Sequence, residues 1–424
     1  MSEHLVAVAE ITKLARLLGI TDPTELDFLT DLPPAAIREY RERVTDRLFD
    51  RDAKRLKGIA TASKIVPVGI SSKIAERAFG PLLCAAVASA VEPQRAVDIA
   101  KALGSTFLAE CAVQLDPRRT AAIIAAVPPK MVTDVARELL SHGDHITMGR
   151  FVHVITEPAL RAAAPAMSDT DLLRIAFFLE DKTAIDNVLH VVADRVPGVI
   201  RAAHDHQMWA EGIDLLDSIA PHNHAWIGDI IAALGGDALD ALITAVAELD
   251  TWSTLLPITG AMSHDSLRLF AERPTIHTDT VLAAIITATA DNDLWSQALP
   301  LVDALPDTTK PTLAARFGDL TREQLLAAIL TASRGDNIHT LVDLALAADQ
   351  AGRTRVLALI DDMDGIEEFL TALTADTPDT VWQALIQVRD DIPARLQTLL
   401  AERALELGRD DDAGELAPLG TTAN

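Results

Sequence analysis

The chain has 424 residues and a net charge of −25, with 49% hydrophobic and 4% aromatic residues. So acidic a chain is unsuited to nucleic acid as its main partner, because phosphate binding requires clustered lysine and arginine. The same charge disfavours adhesion of the whole surface to an anionic membrane.

Alanine and leucine predominate and favour helices, and no run alternates between apolar and polar residues as a strand does. The first residues do not form a secretory signal, and no apolar stretch is long enough to span a bilayer. Cys84 and Cys111 lie in apolar helical patterns, which is typical of buried free thiols in a reducing compartment. We therefore expect a soluble, cytoplasmic, all-α protein.

Residues 1–78 are the first predicted segment, which is helical and nearly neutral, since residues 1–80 hold 13 basic and 12 acidic residues. Pro33 and Pro34 suit the first turn of a helix that runs to about Lys57. Within this basic amphipathic helix, residues 38–57 carry eight basic and five acidic side chains. A solvated helix face is the favoured interpretation, and a helix that binds a membrane surface or the acidic remainder of the chain is the alternative.

Residues 79–195 are predicted as short helices separated by proline, aspartate or glycine, a pattern typical of an α-solenoid. The stretch LAECAVQLDPRRTAAIIAAVPPKMVTDVARELL (108–140) resembles the helical superhelix of the MgtE intracellular N-terminal domain, and a looser likeness covers about residues 80–180. The resemblance implies an α-superhelical fold. It implies no magnesium-binding residue, since the CBS domains and the channel of that family have no counterpart here.

Residues 196–408 contain a repeat, because Trp209, Trp252 and Trp295 are each 43 residues apart. Each copy has three apolar helical segments, the first three being about 207–219, 223–234 and 237–248. This length and helix number are similar to those of armadillo and HEAT repeats. We therefore predict an armadillo/HEAT-like α-solenoid of three-helix repeats, followed by a disordered tail at 409–424.

One aspartate recurs with the same period, at Asp250, Asp293, Asp336 and Asp379. Each precedes a predicted helix, so the favoured interpretation is that its carboxylate caps the helix N-terminus. The alternative is an acidic ladder along the superhelix that binds a basic peptide. The two are compatible, because a capping carboxylate can stay partly exposed.

The sequence contains no motif of a nucleophile elbow, a phosphate loop or a zinc protease. The pairs His204/His206 and His222/His224 flank one predicted helix about 20 Å long, so we predict no metal site and no cofactor. The sequence favours a non-enzymatic interaction scaffold that presents an acidic superhelical surface to a protein or basic peptide, a second copy of the chain included. The alternative is a peripheral membrane or lipid-associated regulatory protein that uses residues 35–91.

Overall fold

The computed structural model describes residues 2–334, 337–362 and 366–418. Every regular element in that part of the chain is a helix and none is a strand, which confirms the all-α prediction. The chain divides into two compact units, Met1–Ala220 (unit 1) and Pro221–Asn424 (unit 2). The division falls inside the predicted segment 196–408, because the helices between 196 and 216 pack on elements of unit 1.

Unit 1 has fourteen α-helices among its described residues, together with 3₁₀ turns and a π-helical turn at Ala75–Phe79. The α-helices are α1 (Ser2–Leu18), α2 (Pro34–Ser63), α3 (Val68–Ile74), α4 (Gly80–Ala88), α5 (Pro93–Ala100), α6 (Ser105–Gln114), α7 (Pro117–Ala125), α8 (Pro129–Ser141), α9 (His145–Phe151), α10 (Glu157–Ala163), α11 (Asp169–Phe177), α12 (Ile185–Val191), α13 (Val196–Asp205) and α14 (Trp209–Leu216).

The starts of these short helices follow from local chemistry. Pro117 is the first residue of α7, and the Asp116 carboxylate accepts a hydrogen bond from the backbone N–H of Arg118. Ser168 and Asp171 form a reciprocal capping box at the start of α11. A proline at the first position already has the helical φ and loses no hydrogen bond there, and a capping oxygen satisfies an N–H that the helix leaves free.

Helices two positions apart in the chain pack on each other in unit 1. One row consists of α2, α4, α6, α8, α10 and α12, and α3, α5 and α7 form a second row. The N-terminal helix α1 packs on α2 and α14, and its core contains Ile11 and Leu14 with Ile37 of α2. The two rows enclose the space described below.

Unit 2 also has fourteen α-helices among its described residues. They are α15 (His224–Ala232), α16 (Gly236–Leu249), α17 (Trp252–Thr259), α18 (His264–Ala271), α19 (Asp279–Asp291), α20 (Trp295–Ala304), α21 (Lys310–Gly318), α22 (Arg322–Arg334), α23 (Ile338–Ala347), α24 (Gln350–Asp361), α25 (Ile366–Ala372), α26 (Asp379–Gln387), α27 (Ala394–Glu406) and α28 (Asp410–Leu416).

The helix starts follow the period of the sequence. Helices α14, α17, α20 and α23 begin at Trp209, Trp252, Trp295 and Ile338, each 43 residues after the one before, and each is followed by two further helices. In unit 2, α17 packs on α20, α20 on α23 and α23 on α26. Trp252 and Trp295 are 0% and 1% exposed, so both indoles belong to the core of unit 2.

The C-terminal segment differs from its prediction. A disordered tail was expected at 409–424, but Asp410–Leu416 forms α28, in which Ala413 and Leu416 are buried. This helix is the third of its triplet and packs on α26 and α27, so its few apolar residues are enough to cover an apolar face. Residues 419–424 lie outside the described part of the chain.

Candidate functional site

An apolar cavity lies inside unit 1. Its volume is about 370 Å³, within the range of roughly 300–1,000 Å³ found for ligand pockets. It is lined from α2 to α11, by residues between Ile59 and Ile175, all of them described and none of them charged. A mostly apolar space suits apolar guests better than ordered water, which needs about two to four polar partners.

The cavity reaches the surface where α2 and α3 meet. Ala62 and Ile74 both line it and are both exposed. Ile123, Met131 and Val135 also line it and are only partly buried. An apolar ligand could therefore enter without unfolding a helix.

Both cysteines of the chain line this cavity, Cys84 on α4 and Cys111 on α6. Both are free thiols. The contact between them lowers the pKa of Cys84, and together with burial it raises the pKa of Cys111. The sequence-based prediction of free thiols is correct. Cys111 is buried and Cys84 is half-buried.

A second cavity in unit 1 is polar and has a volume of about 260 Å³. Five basic side chains line it, together with His153 and four carboxylates. The basic residues are Lys13, Arg16, Arg41, Arg118 and Arg150, and the acidic ones are Glu42, Asp116, Glu180 and Asp181.

Two carboxylates, the buried Glu10 and the partly buried Glu180, organise the charges beside this cavity. The Glu10 carboxylate, 1% exposed, accepts hydrogen bonds from Lys13 Nζ at 2.9 Å and from the guanidinium groups of Arg38 at 3.0 Å and Arg41 at 3.2 Å. The Glu180 carboxylate pairs with Arg41 at 2.7 Å and lies 3.5 Å from Arg150 Nε. Removing such charges from water is costly, so they persist only as a mutually paired group.

The pKa values of this group reflect burial and pairing together. Burial alone would raise the pKa of Glu10, but the charges of Lys13, Arg41 and Arg38 outweigh it and hold that pKa below its ordinary value. Burial lowers the pKa of Lys13 despite the nearby Glu10, and it lowers the pKa of Arg150 despite the nearby Glu180. For Arg41 the charges of Glu180 and Glu10 outweigh burial and raise the pKa, so only Lys13 and Arg150 are incompletely compensated.

Leu115 lines both the polar and the apolar cavity and so is part of the wall they share. Arg150, on α9, donates hydrogen bonds to the carbonyl oxygens of Leu115 at 3.0 Å and of Val113 at 3.4 Å. These bonds fix the guanidinium at the end of α6, where the wall changes from charged to apolar. One elongated molecule with a polar end could contact both sides of this boundary.

The stretch that borders the cavity opening is exposed, apolar and basic. Ile65, Ile70, Ile74 and Leu82 are 86%, 52%, 38% and 69% exposed. Residues 54–91 contain six basic residues and one acidic residue, although the chain as a whole is acidic. Exposed apolar side chains that cluster in this way mark interaction surfaces more often than isolated ones do.

The basic amphipathic helix predicted at 38–57 is part of α2, which continues to Ser63. A solvated face was favoured for its basic residues, and this is wrong for Arg41, which is 7% exposed and paired with Glu10 and Glu180. The physical reason is that acidic partners from α1 and from the segment after α11 meet α2 on that side. No helix among the described residues is long and apolar enough to cross a bilayer.

The aspartate column has a different role from the capping that was favoured. Asp250 ends α16 with a φ of 53°, and Asp293 follows α19 with a φ of 54°; neither caps the next helix. Asp379 is the first residue of α26 and pairs with Arg409 at 2.7 Å, while the capping position is Pro378. Asp336 lies outside the described residues.

A left-handed backbone explains two members of this column, Asp250 and Asp293. Gln207, Asp250 and Asp293 have φ values of 55°, 53° and 54°, and they are 43 residues apart. After each, a backbone N–H bonds to the carbonyl five residues earlier, as in Met208 to Ala203 at 2.8 Å and Thr251 to Val246 at 3.0 Å. This is the Schellman turn that ends a helix, and aspartate tolerates it better than most side chains do.

The predicted ladder residues do not meet a ligand-binding cavity. Asp250, Asp293 and Asp379 are exposed, and none lines a cavity described above. Among the described residues, no three histidine, cysteine or acidic side chains are grouped so as to hold a metal ion. No protein-family model, curated protein or solved structure matches the chain.

Sequence reasoning placed its site residues in the repeats, whereas both cavities are in unit 1. One sequence feature pointed to unit 1. It is the apolar stretch between residues 58 and 91, which has few charged residues and belongs to the region used by the lipid-associated alternative. The polar cavity gave no such signal, because Lys13, Arg41, Arg150 and Glu180 come from four distant parts of the chain.

Proposed function

We propose that unit 1 binds the acyl chain of a lipid in its apolar cavity, as a binding protein without catalytic activity or cofactor. The observation that carries this proposal is a cavity of about 370 Å³ whose lining residues, all described, include no charged side chain. Burial of each methylene group contributes about 0.8 kcal/mol, so an extended chain is a favourable occupant. A cytoplasmic location, favoured by two free cysteines, is part of the proposal.

The protein would collect its ligand at an anionic membrane surface. The exposed side chains of Ile65, Ile70 and Leu82 would insert among the lipid headgroups, and the basic residues of 54–91 would be attracted to anionic lipid. Ile74, exposed and also part of the cavity wall, connects this surface to the cavity. This corresponds to the lipid-associated hypothesis for residues 35–91.

The cavity is tested by filling it. Ala112 on α6 lines the cavity, and Ala122 on α7 is exposed and does not. Ala112→Phe should abolish binding of hexadecanoate and hexadecanol, measured by native mass spectrometry, whereas Ala122→Phe should leave it unchanged. Bound ligand should also slow the reaction of Cys84 with an apolar thiol reagent. If the wild type binds neither compound, the proposal is wrong.

Membrane docking is tested by co-sedimentation with phosphatidylglycerol vesicles. The double change Ile65→Ser and Leu82→Ser should reduce binding. The matched control is Leu269→Ser with Leu405→Ser, two leucines of unit 2 that are 48% and 54% exposed. Equal binding by both double variants, or equal binding to neutral phosphatidylcholine vesicles, would exclude docking through this segment.

We also propose that the repeats stack as an armadillo/HEAT-like α-solenoid, and that about residues 80–180 form a superhelix like that of the MgtE intracellular domain. Support for the first comes from the contacts of α17 with α20, α20 with α23 and α23 with α26. Support for the second comes from the packing of helices two positions apart in unit 1.

A second candidate function is an acidic scaffold for a protein or basic peptide partner. The exposed carboxylates of Asp250 and Asp293, held by the same turn one repeat apart, favour it. The combined change Asp250→Asn, Asp293→Asn keeps the left-handed turns and removes two charges. It should weaken salt-sensitive capture of an oligolysine peptide, and unchanged capture would exclude these residues.

A further inference from the structure

Five basic and four acidic side chains line the polar cavity, a surplus of one positive charge. Two carboxylates, Glu10 and Glu180, are shared by four basic side chains, which are Lys13, Arg38, Arg41 and Arg150. Lys13 and Arg41 are only 5% and 7% exposed. Water therefore screens the surplus poorly, and an anion that entered the cavity would be strongly attracted.

Several polar atoms of this group also have unused hydrogen-bonding capacity. Arg41 Nε and His153 Nδ1 are buried and have no hydrogen-bond partner among the described residues. Glu180 Oε1 is also buried without a hydrogen-bond partner among the described residues, and it lies 3.5 Å from Arg150 Nε. A buried polar group without a partner costs free energy. Arg41 Nε–H therefore favours a guest that accepts a hydrogen bond, whereas Glu180 Oε1 favours one that donates. Arg41 and His153 both line the cavity.

The neighbouring apolar cavity restricts what that guest can be. Leu115 is common to both walls, and Arg150 is bonded to its carbonyl oxygen. A free inorganic anion would use only the polar side. A molecule with an anionic end and a long hydrocarbon chain would use both.

We propose that Lys13, Arg41 and Arg150 bind the anionic head group of a single-chain amphiphile whose acyl chain occupies the apolar cavity. This rests on the proposed function, since it names the ligand class of the same unit. The recognised chemistry is an oxyanion, which fatty acids and monoalkyl phosphates share. Charge-assisted hydrogen bonds from guanidinium groups are among the strongest contacts that proteins make with oxyanions.

The experiment compares three ligands on the full chain by isothermal titration: hexadecanoate, hexadecyl phosphate and the neutral hexadecanol. Wild type should bind both anions at least about tenfold more tightly than the alcohol, the effect of one or two charge-assisted hydrogen bonds. The oxyanion that binds more tightly identifies the head group. Equal affinity for all three would overturn this inference while leaving acyl-chain binding intact, whereas binding of none would overturn both.

Arg150→Gln should remove the preference for the anions and keep the affinity for hexadecanol. Arg137→Gln, at a 62% exposed arginine on α8, is the matched control and should change nothing. Arg150→Lys should restore part of the preference. If Arg150→Gln keeps the full preference, the head group does not lie at this boundary.

A gain of affinity is the sharper test, because misfolding cannot produce it. Glu180→Gln removes the carboxylate that competes for Arg41 and Arg150, so hexadecanoate should bind several-fold more tightly and hexadecanol should be unaffected. Inorganic phosphate is the last probe. If it binds wild type as tightly as hexadecyl phosphate does, the cavity is a site for free anions and the amphiphile inference is wrong.

Discussion

Arg150 donates a hydrogen bond of 3.0 Å to the carbonyl oxygen of Leu115, the residue that lines both cavities of unit 1. This bond connects α9 to the end of α6 and holds a buried positive charge at the boundary between polar and apolar walls. A ligand that spans the two cavities must pass this pair of residues, so its two parts should contribute to affinity separately.

That separation predicts a dependence on chain length. Each methylene added from dodecanoate to hexadecanoate should increase affinity by about fourfold, since its burial contributes about 0.8 kcal/mol. Titration of Arg150→Gln with the same series should give a parallel line at lower affinity. Lines of different slope would mean that head and chain do not bind in separate places.

Glu10 should be critical for stability. Its carboxylate is 1% exposed and pairs with Lys13, Arg38 and Arg41, so Glu10→Ala leaves buried cations unpaired and should destabilise the protein by about 3–5 kcal/mol. Glu39→Ala removes an exposed pair with Arg43, which is 76% exposed, and should change stability little. Urea denaturation followed by circular dichroism measures both. Similar losses of stability in both variants would show that Glu10 matters no more to the fold than an exposed carboxylate does.

Stability should also fall with acid in a way that depends on Glu10. Its pKa lies below the ordinary value of 4.5, because its basic partners outweigh the effect of burial. A carboxylate with a lowered folded-state pKa stabilises the fold above its unfolded pKa, and that contribution is lost as the pH falls through the folded value. We expect the wild-type loss to begin below pH 4.5. In thermal melts below pH 4.5, the Glu10→Gln variant should not show this Glu10-dependent loss of stability.

The left-handed turn at Asp250 gives a prediction that differs from helix capping. Asp250→Ser should cost about 1 kcal/mol, because serine tolerates a positive φ less well than aspartate, and Asp250→Gly should be neutral or stabilising. A capping role predicts that serine is neutral and that glycine is slightly worse. Urea midpoints of the two variants distinguish these cases.

The repeat predicts tolerance of one particular deletion. Removing residues 252–294 takes out α17–α19 and joins Thr251 to Trp295, which keeps the Schellman turn before a tryptophan-led helix. We expect a cooperatively folded, fully helical protein by circular dichroism. Deletion of 252–272, half of the period, should disrupt the stacking of triplets. Equal behaviour of the two deletions would contradict repeat packing.

The sequence anticipated helix positions well where local chemistry sets them. Trp209, Trp252 and Trp295 each begin a helix after a tight turn, with Trp252 and Trp295 buried and Trp209 partly buried, and α7 begins at Pro117 after a capping aspartate. The favoured capping role is wrong for Asp250, Asp293 and Asp379, while the acidic ladder stays a prediction. A residue between two helices can end the first or cap the second, and only its φ distinguishes these roles.

The sequence by itself determined that the chain is helical and where helices such as α7 and α17 begin, since periodicity, caps and prolines act within a few residues, but it missed α28. The tertiary structure alone decided that Arg41 is buried against Glu180, 139 residues away in the chain, and that the apolar faces of α2 to α11 leave a cavity between them. An apolar face does not specify how far away its partner lies. That distance depends on how all the helices of a unit pack at once.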